Sequence, residues 1–194
     1  GHAQTFTKLI KANPMKLVRL AALAVVAAMV KMVMMMRELQ KEFGFTGQQT
    51  AQLQGNLMEA GFALRLMGIS GEEIKQTAGA LMEEFGGVAN ATSETLTSMG
   101  MLHATLGIAG ADAAKLLGMM ESVSGASRET LINQIKVTGE LARAAGVAPA
   151  AVMADVAANT DLWADFAKDG GDNINEAAIQ AKALGLNLGT VSKM

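Results

Sequence analysis

A glycine-led phrase returns along this chain at a fixed interval. Gly68-Ile69-Ser70 is followed by Gly107-Ile108-Ala109, Gly146-Val147-Ala148 and Gly185-Leu186-Asn187, each glycine 39 residues after the one before. A glycine, an apolar residue and then a small or capping residue is the pattern of one helix ending on a left-handed glycine. The apolar side chain folds back on that helix and the next helix begins. Ser70 with Glu73 makes a capping box, and Pro149 falls where a first helical residue tolerates proline. Each period therefore holds a helix pair. Pairs that cannot bury their own apolar faces stack on their neighbours, and three full copies meet the minimum for such an array. The expected fold is all-α: a long N-terminal apolar helix, then stacked helical hairpins with a 39-residue period jointed at Gly44, Gly68, Gly107, Gly146 and Gly185.

Composition agrees with helix and narrows the chemistry. The 194 residues are 51% hydrophobic and 18% charged, enough for one sizeable core or two small ones. Ala, Leu and Met dominate, tyrosine is absent and only two prolines occur, so little opposes helix. With no cysteine there is neither a disulfide framework nor a thiolate metal site. Two histidines, His2 and His103, are too few for the usual zinc set. The basic, apolar start carries no small-residue cleavage site of a signal peptide.

Asn13-Pro14 starts a helix that nothing interrupts before Gly44, about 30 residues or 45 Å. Lys16, Arg19, Lys31, Arg37, Glu38, Lys41 and Glu42 fall within an arc of about 140°, leaving most of the circumference apolar. The unbroken apolar run from Leu20 to Val30 is shorter than the roughly 20 residues of a bilayer span. Residues Leu20, Leu23, Ala24, Ala28 and Met32 are expected to pack in an oligomer or to meet a membrane. Residues 1–44 carry a net charge of +5, which leaves −7 for residues 45–194. The expected division is a basic long-helix segment, 1–44, and an acidic helical repeat domain, 45–194. Phosphate repulsion disfavours nucleic-acid binding through that acidic body.

Beyond Gly44 the helices are expected as follows. Thr46 with Gln49 caps a helix running through Leu53, Leu57, Met58, Leu64 and Met67 to Gly68. Ile74, Ala78, Leu81, Met82 and Phe85 form one apolar face, ended by Gly86-Gly87. Further helices run from Thr92 to Leu106, Ala111 to Val123 and Ser127 to Ala145, the last with Leu131, Ile135, Leu141 and Ala142 inward. Another runs from Pro149 through Asn159 and Trp163 to Ala167, and a final one from Asn173 to Leu184.

Catalytic or ligand chemistry is nearly absent from the pattern. Asp165, Asp169, Gly170 and Glu176 match four positions of a calcium-binding EF-hand loop. However, Ala167 stands at a ligand position and Asp172 at the hydrophobic one, so the segment reads as an interhelical turn. His103 lacks the partners of a catalytic triad and reads as structural. Glu83 and Glu84 point about 100° apart and read as a solvated helix end. No phosphate-binding glycine loop with lysine occurs. The methionines read as adaptable packing. Neither enzyme activity nor a cofactor is expected.

Residues 131–194 contain Glu140-Leu-Ala-Arg-Ala-Ala-Gly-Val-Ala-Pro149, then Thr160-Asp-Leu-Trp-Ala-Asp-Phe-Ala-Lys-Asp-Gly-Gly-Asp-Asn-Ile174, then Ala177-Ala-Ile-Gln-Ala-Lys-Ala-Leu-Gly-Leu-Asn-Leu188. This texture resembles the helical repeats of phage tail tape measure proteins, best over 131–194 and loosely over 45–194. The resemblance implies a structural virion component of the tail interior or tip, active in tail assembly, length determination and genome ejection. It implies partners in the tail tube and in tail-tip or baseplate proteins, host-membrane contact during ejection, and residence in the host cytoplasm during assembly. Members of that family are usually much longer, and the extended coil that measures length has no counterpart here. The apolar helix adds an expected homo-oligomer through residues 14–43. Two other readings compete: a cytoplasmic helical-repeat scaffold that takes a peptide on a concave face, and a membrane-active helical protein.

Overall fold

A computed structural model describes residues 14–159, 161, 162, 165 and 171–193, apart from the side chains of 14–22, 24, 25, 28 and 29. Among the described residues the chain is all-helical, with no strand. It divides into two compact units, residues 1–45 and 46–194.

The first unit is built on α1, Pro14–Phe43, 30 residues long and ended by Gly44 at φ 67°. The helix has the expected length, but its described side chains are not uniformly covered. Met35, Met36 and Leu39 are buried and Met32 is half-buried, whereas Leu23, Val26, Val30, Val33 and Met34 are exposed. Of the residues Leu20, Leu23, Ala24, Ala28 and Met32 singled out from sequence, Leu23 is exposed and Met32 half-buried. Leu23 and Met32 are nine residues apart, half a turn out of phase, and they face opposite sides. The side chains of Leu20, Ala24 and Ala28 lie outside the described residues. Among the described residues no helix is long and apolar enough to cross a membrane. Lys31 interrupts the apolar run too early for a span.

The second unit contains α2 (Gly47–Leu66), α3 (Gly71–Phe85), a 3-10 turn (Val88–Asn90), α4 (Ser93–Leu106), α5 (Gly110–Ser124), α6 (Arg128–Ala144), α7 (Pro149–Ala158), α8 (Asp172–Ala183) and the short α9 (Leu188–Val191). Helices α2, α4, α6 and α8 pack each on the next, and so do α3, α5 and α7. Consecutive helices join the two rows. The core lies between the rows. It is lined by Leu57, Leu96, Ile135 and Ile174 from one row and by Ile74, Ala78, Ala113, Leu117, Val152 and Val156 from the other.

Local chemistry explains the boundaries. Thr46 and Ser70 each form a complete capping box, with Gln49 and Glu73 respectively, while Thr92 and Ser127 cap α4 and α6 through Thr95 and Thr130. Helix ends fall into two kinds. At Gly68, Gly146 and Gly185 the residue after the glycine donates its N–H five residues back, to Leu64, Ala142 and Ala181, which is the Schellman arrangement. At Gly44, Gly86, Gly107 and Gly125 the glycine N–H itself donates four residues back, the simpler left-handed cap. All seven have φ between 64° and 85°, where a side chain is strained. Gly125, 39 residues after Gly86, belongs to this set although the recurring phrase does not contain it.

Three expectations about these helices change. Leu141 is 51% exposed, because the buried row of α6 is Leu131, Ile135, Thr138 and Ala142, and Leu141 lies about 100° away from its neighbour on that row. Helix α7 stops at Ala158, where the expected helix ran through Asn159, and Asp161, Leu162 and Asp165 are helical again beyond the break. Asn159 leaves the helical region at φ −122°, and its Nδ2 donates to the Asp155 carbonyl at 2.7 Å. Trp163 and residues 166–170 lie outside the described residues. The last long helix begins at Asp172, after Gly171 at φ 91°.

Close approach between neighbouring helices rests on missing side chains. A Cβ at Gly100 of α4 would overlap Leu64 Cδ2 of α2, and one at Gly139 of α6 would lie 2.6 Å from Leu106 Cδ1 of α4. Leu64 and Leu106 are both buried and have little room to move. Gly100→Ala is expected to destabilise the protein by about 1–3 kcal/mol, as overpacking does. Adding Leu64→Ala should recover part of that loss, because the two sites share one contact. Denaturant melts of the four proteins test this, and strictly additive effects would remove the contact. Gly107→Val and Gly146→Val, which force a β-branched residue to positive φ, should each cost about 1–3 kcal/mol. An unchanged thermal midpoint for both would discard the helix-joint reading.

Candidate functional site

The strongest concentration of polar groups in a cleft of the second unit is at the start of α3. Ser70 caps this helix, so Glu73, three residues on, turns back toward it. The Ser70 N–H donates to Glu73 Oε2 at 2.8 Å, and the Glu73 N–H donates to Ser70 Oγ at 3.2 Å. Helix α4 brings His103, in its last turn, to 3.2 Å between Nε2 and Glu73 Oε1. One turn earlier on α4, Gly100 lets Leu64 come close and narrows the floor of the cleft. Leu64, Ile69, Thr77, Gly100 and His103 line a cavity of about 40 Å³. That volume holds a water molecule, not a substrate.

The Glu73 carboxyl is held below the ordinary carboxylate range. The Ser70 hydroxyl is the main cause and the Ser70 backbone N–H the next; partial desolvation opposes them, and the charge of His103 adds a smaller lowering. The two hydroxyls nearest the pair are already engaged, Ser70 in the cap and Thr77 Oγ1 in donating to the Glu73 carbonyl at 2.7 Å. The arrangement can hold two helices in register, with a charge that favours the N-terminus of α3. It offers no activated nucleophile.

A second polar cluster was not foreseen. Asp155 of α7 is buried, and its Oδ2 accepts the Leu188 N–H of α9 at 2.7 Å and lies 3.4 Å from Lys182 Nζ of α8. One carboxylate thus supplies the cap for α9 and a partner for a cation. Its trace in the sequence was faint. Thr77 stands 33 residues before Gly110, as Asp155 stands 33 before Leu188, and Thr77 Oγ1 is the atom that a Cβ on Gly110 would overlap. A third cluster ties three helices: Arg128 Nε lies 2.9 Å from Glu121 Oε2, and its guanidinium sits 4.0 Å over the Phe85 ring.

The calcium-like segment does not gather ligands. Asp165 and Glu176 are exposed, Asp172 Oδ1 accepts from Gln134 Nε2 at 2.7 Å, and Ala167, Asp169 and Gly170 lie outside the described residues. Among the described residues no group of three or more His, Cys, Asp or Glu is placed to hold a metal ion. Glu83 and Glu84 are both exposed at the end of α3. An open depression of about 390 Å³ lies between α6 and α8, lined by Thr130, Asn133, Val137 and Asp172 among others. No protein family, curated protein or solved structure matches the chain.

Because the folded-state pKa of Glu73 is lowered, its charge adds stability above the ordinary carboxylate range. That stability is lost as the pH falls through the folded value. Glu73→Gln keeps an acceptor for Ser70 and removes the charge. It is expected to melt below the wild type at about pH 7 and to converge with it toward about pH 3. Melting curves at both pH values decide the matter, and an equal gap at each would exclude the charge as the cause. Millimolar calcium is expected to leave the melting temperature unchanged, since the segment lacks an oxygen at Ala167. A calcium-dependent rise that disappears in Glu176→Gln would reverse this.

Proposed function

We propose that the chain is a non-catalytic structural region of a phage tail tape measure protein, acting in the tail interior. In this reading residues 46–194 form an array of stacked helical hairpins that repeats every 39 residues. The observation that carries it is the recurrence of equivalent positions. Helices begin at Gly71, Gly110, Pro149 and Leu188, each 39 residues after the last. Buried side chains recur at the same interval, as Leu57, Leu96, Ile135 and Ile174, and as Ala78, Leu117 and Val156. So do the close-approach glycines Gly100 and Gly139. A unit that packs only on its neighbours builds an extended object of defined length, the property a tail-interior component needs. The sequence texture of residues 131–194 supplies the link to tail proteins. The partners in this reading are the tail tube and tail-tip or baseplate proteins.

Two experiments test the two levels. Removal of residues 107–145, one full period joined in phase, should leave a helical protein that still unfolds cooperatively, because an array tolerates the loss of a unit. Loss of cooperative unfolding would exclude the array. Mass spectrometry of purified virions from cells that express the chain should recover it in the tail fraction. Its exclusion from particles would end the virion role and return weight to a cytoplasmic scaffold.

A further inference from the structure

Helix α2 is apolar on two opposite sides, and among the described residues only one of them is covered. Leu53, Leu57, Ala60 and Leu64 are buried, whereas Ala51, Gly55, Met58, Phe62 and Leu66 are exposed, Phe62 at 74% and Leu66 at 76%. The exposed five advance by four, three, four and four residues, which sets them within an arc of about 80° along about 22 Å of helix. No polar side chain between residues 51 and 66 falls inside that arc. Glu59 and Arg65, both exposed, border it on its two sides. Steps of three and four residues are the pattern with which one helix lies along another. Gly55 adds a second observation. It sits in mid-helix, where glycine costs stability relative to alanine. A Cβ there would meet nothing within 4 Å, so Gly55, unlike Gly100 and Gly139, makes room for no described residue of its own chain.

We infer that a second copy of the chain packs on this strip, α2 against α2, antiparallel about a two-fold axis. Ala51 lies as far before the midpoint of the strip as Leu66 lies after it, and Gly55 as far before it as Phe62 after. One antiparallel register therefore sets each small residue of one copy against a large residue of the other. The two-fold axis repeats both pairings, which makes the contact self-complementary, and it brings the two Met58 side chains together at the centre. Phe62 fills the place over Gly55 and Leu66 the place over Ala51, the alternation of large and small that lets two helices interdigitate. A parallel pair would set Phe62 on Phe62 and Gly55 on Gly55, so the ends could not close together. A foreign helix would need small residues at matching places, which this strip supplies to itself. The strip exposes about 500 Å² per copy, and two strips reach the roughly 1,000 Å² at which a specific interface begins. The two Glu59 carboxylates meet at one rim of the contact, where water and salt screen them. This inference stands on α2 alone and does not rest on the virion role.

The test is sedimentation of the full chain over a concentration series from about 1 to 200 μM, where an interface of this size is expected to convert monomer to dimer. Gly55→Leu adds apolar surface and helix propensity but fills the hollow that Phe62 of the other copy needs. It is expected to weaken dimerisation at least about tenfold, while the melting temperature of the dilute chain holds or rises. Phe62→Lys should abolish the dimer and leave that temperature in place, since the side chain is exposed. The chain has no cysteine, so introduced ones report the register. With an added oxidant, Met58→Cys alone should give a disulfide-linked dimer, and Ala51→Cys should link only when mixed with Leu66→Cys chains. A monomer throughout the series would overturn the inference. So would a dimer indifferent to Phe62→Lys, which would place self-association elsewhere, or one strengthened by Gly55→Leu, which would leave only unspecific apolar adhesion. A disulfide formed by Ala51→Cys alone would also overturn it, because the pair would then be parallel.

Discussion

The second unit depends on where its backbone can turn without a side chain in the way. A helical row can follow another only if the chain reverses within three or four residues, and a left-handed residue makes that reversal possible while it satisfies the last carbonyls of the helix. Gly68, Gly146 and Gly185 do this with one hydrogen-bonding pattern, and Gly86, Gly107 and Gly125 with another. The difference has a use. The Schellman joints place an apolar residue, Ile69, Val147 or Leu186, directly after the turn, where it can fold back on the helix just ended. At Gly107 the equivalent Ile108 is buried without that backbone bond, whereas Val147 and Leu186 keep the bond and are only half-buried, so the bond and the burial of the apolar residue do not depend on each other.

A second constraint is distance between helices. Gly100 and Gly139 remove side chains where Leu64 and Leu106 press in, and Ala178, 39 residues after Gly139, is the smallest alternative and is fully buried. Small residues at those places set how near each helix of the row lies to the one before. The leucines that fill the space then gain dispersion contacts on all sides. Capping and packing are coupled through this geometry. The same approach that seats Leu64 against Gly100 brings His103 to Glu73, so the polar cleft follows from the packing of α2 and α4 as much as from its own hydrogen bonds.

Much of this was legible in the sequence, and the misses have physical reasons. Joint glycines and capping boxes are local, since a turn needing positive φ or a side chain reaching three residues ahead leaves a short-range mark. Burial is less local. Leu141 is apolar yet faces out, whereas Thr138 takes the buried place because it sits on the same row as Leu131, Ile135 and Ala142. Asn159 does mark the break after Ala158, since asparagine is disfavoured inside helices, but a single asparagine does not announce the bond back to Asp155 that ends this one. Asp155 itself was unreadable: a lone aspartate in a helix gives no sign that its partners are Leu188 and Lys182, some thirty residues away. The Glu73 half of the cleft was visible as a capping box, and the His103 half only as an isolated histidine.

The 39-residue spacing in the sequence also separates what the fold demands from what it leaves open. Leu57, Leu96, Ile135 and Ile174 recur at 39-residue spacing and all are buried, so the interior keeps its chemistry from one helix of the row to the next. On the outward side of these helices the corresponding positions do not. Met58, Phe62 and Leu66 on α2 correspond by the same spacing to Thr97, Met101 and Thr105 on α4 and to Lys136, Glu140 and Ala144 on α6. Water reaches nearly all of these side chains, and two of the three series, from Met58 to Lys136 and from Phe62 to Glu140, pass from apolar to charged along the row. Packing cannot have dictated that change, because the backbone positions are equivalent and the side chains touch little. An exposed Phe62 at 74% costs solvation with no packing in return, and the Glu140 that stands 78 residues on removes that cost. The outer surface of the row is therefore where the side-chain chemistry is free to change, while the leucines and isoleucines at the buried positions stay apolar.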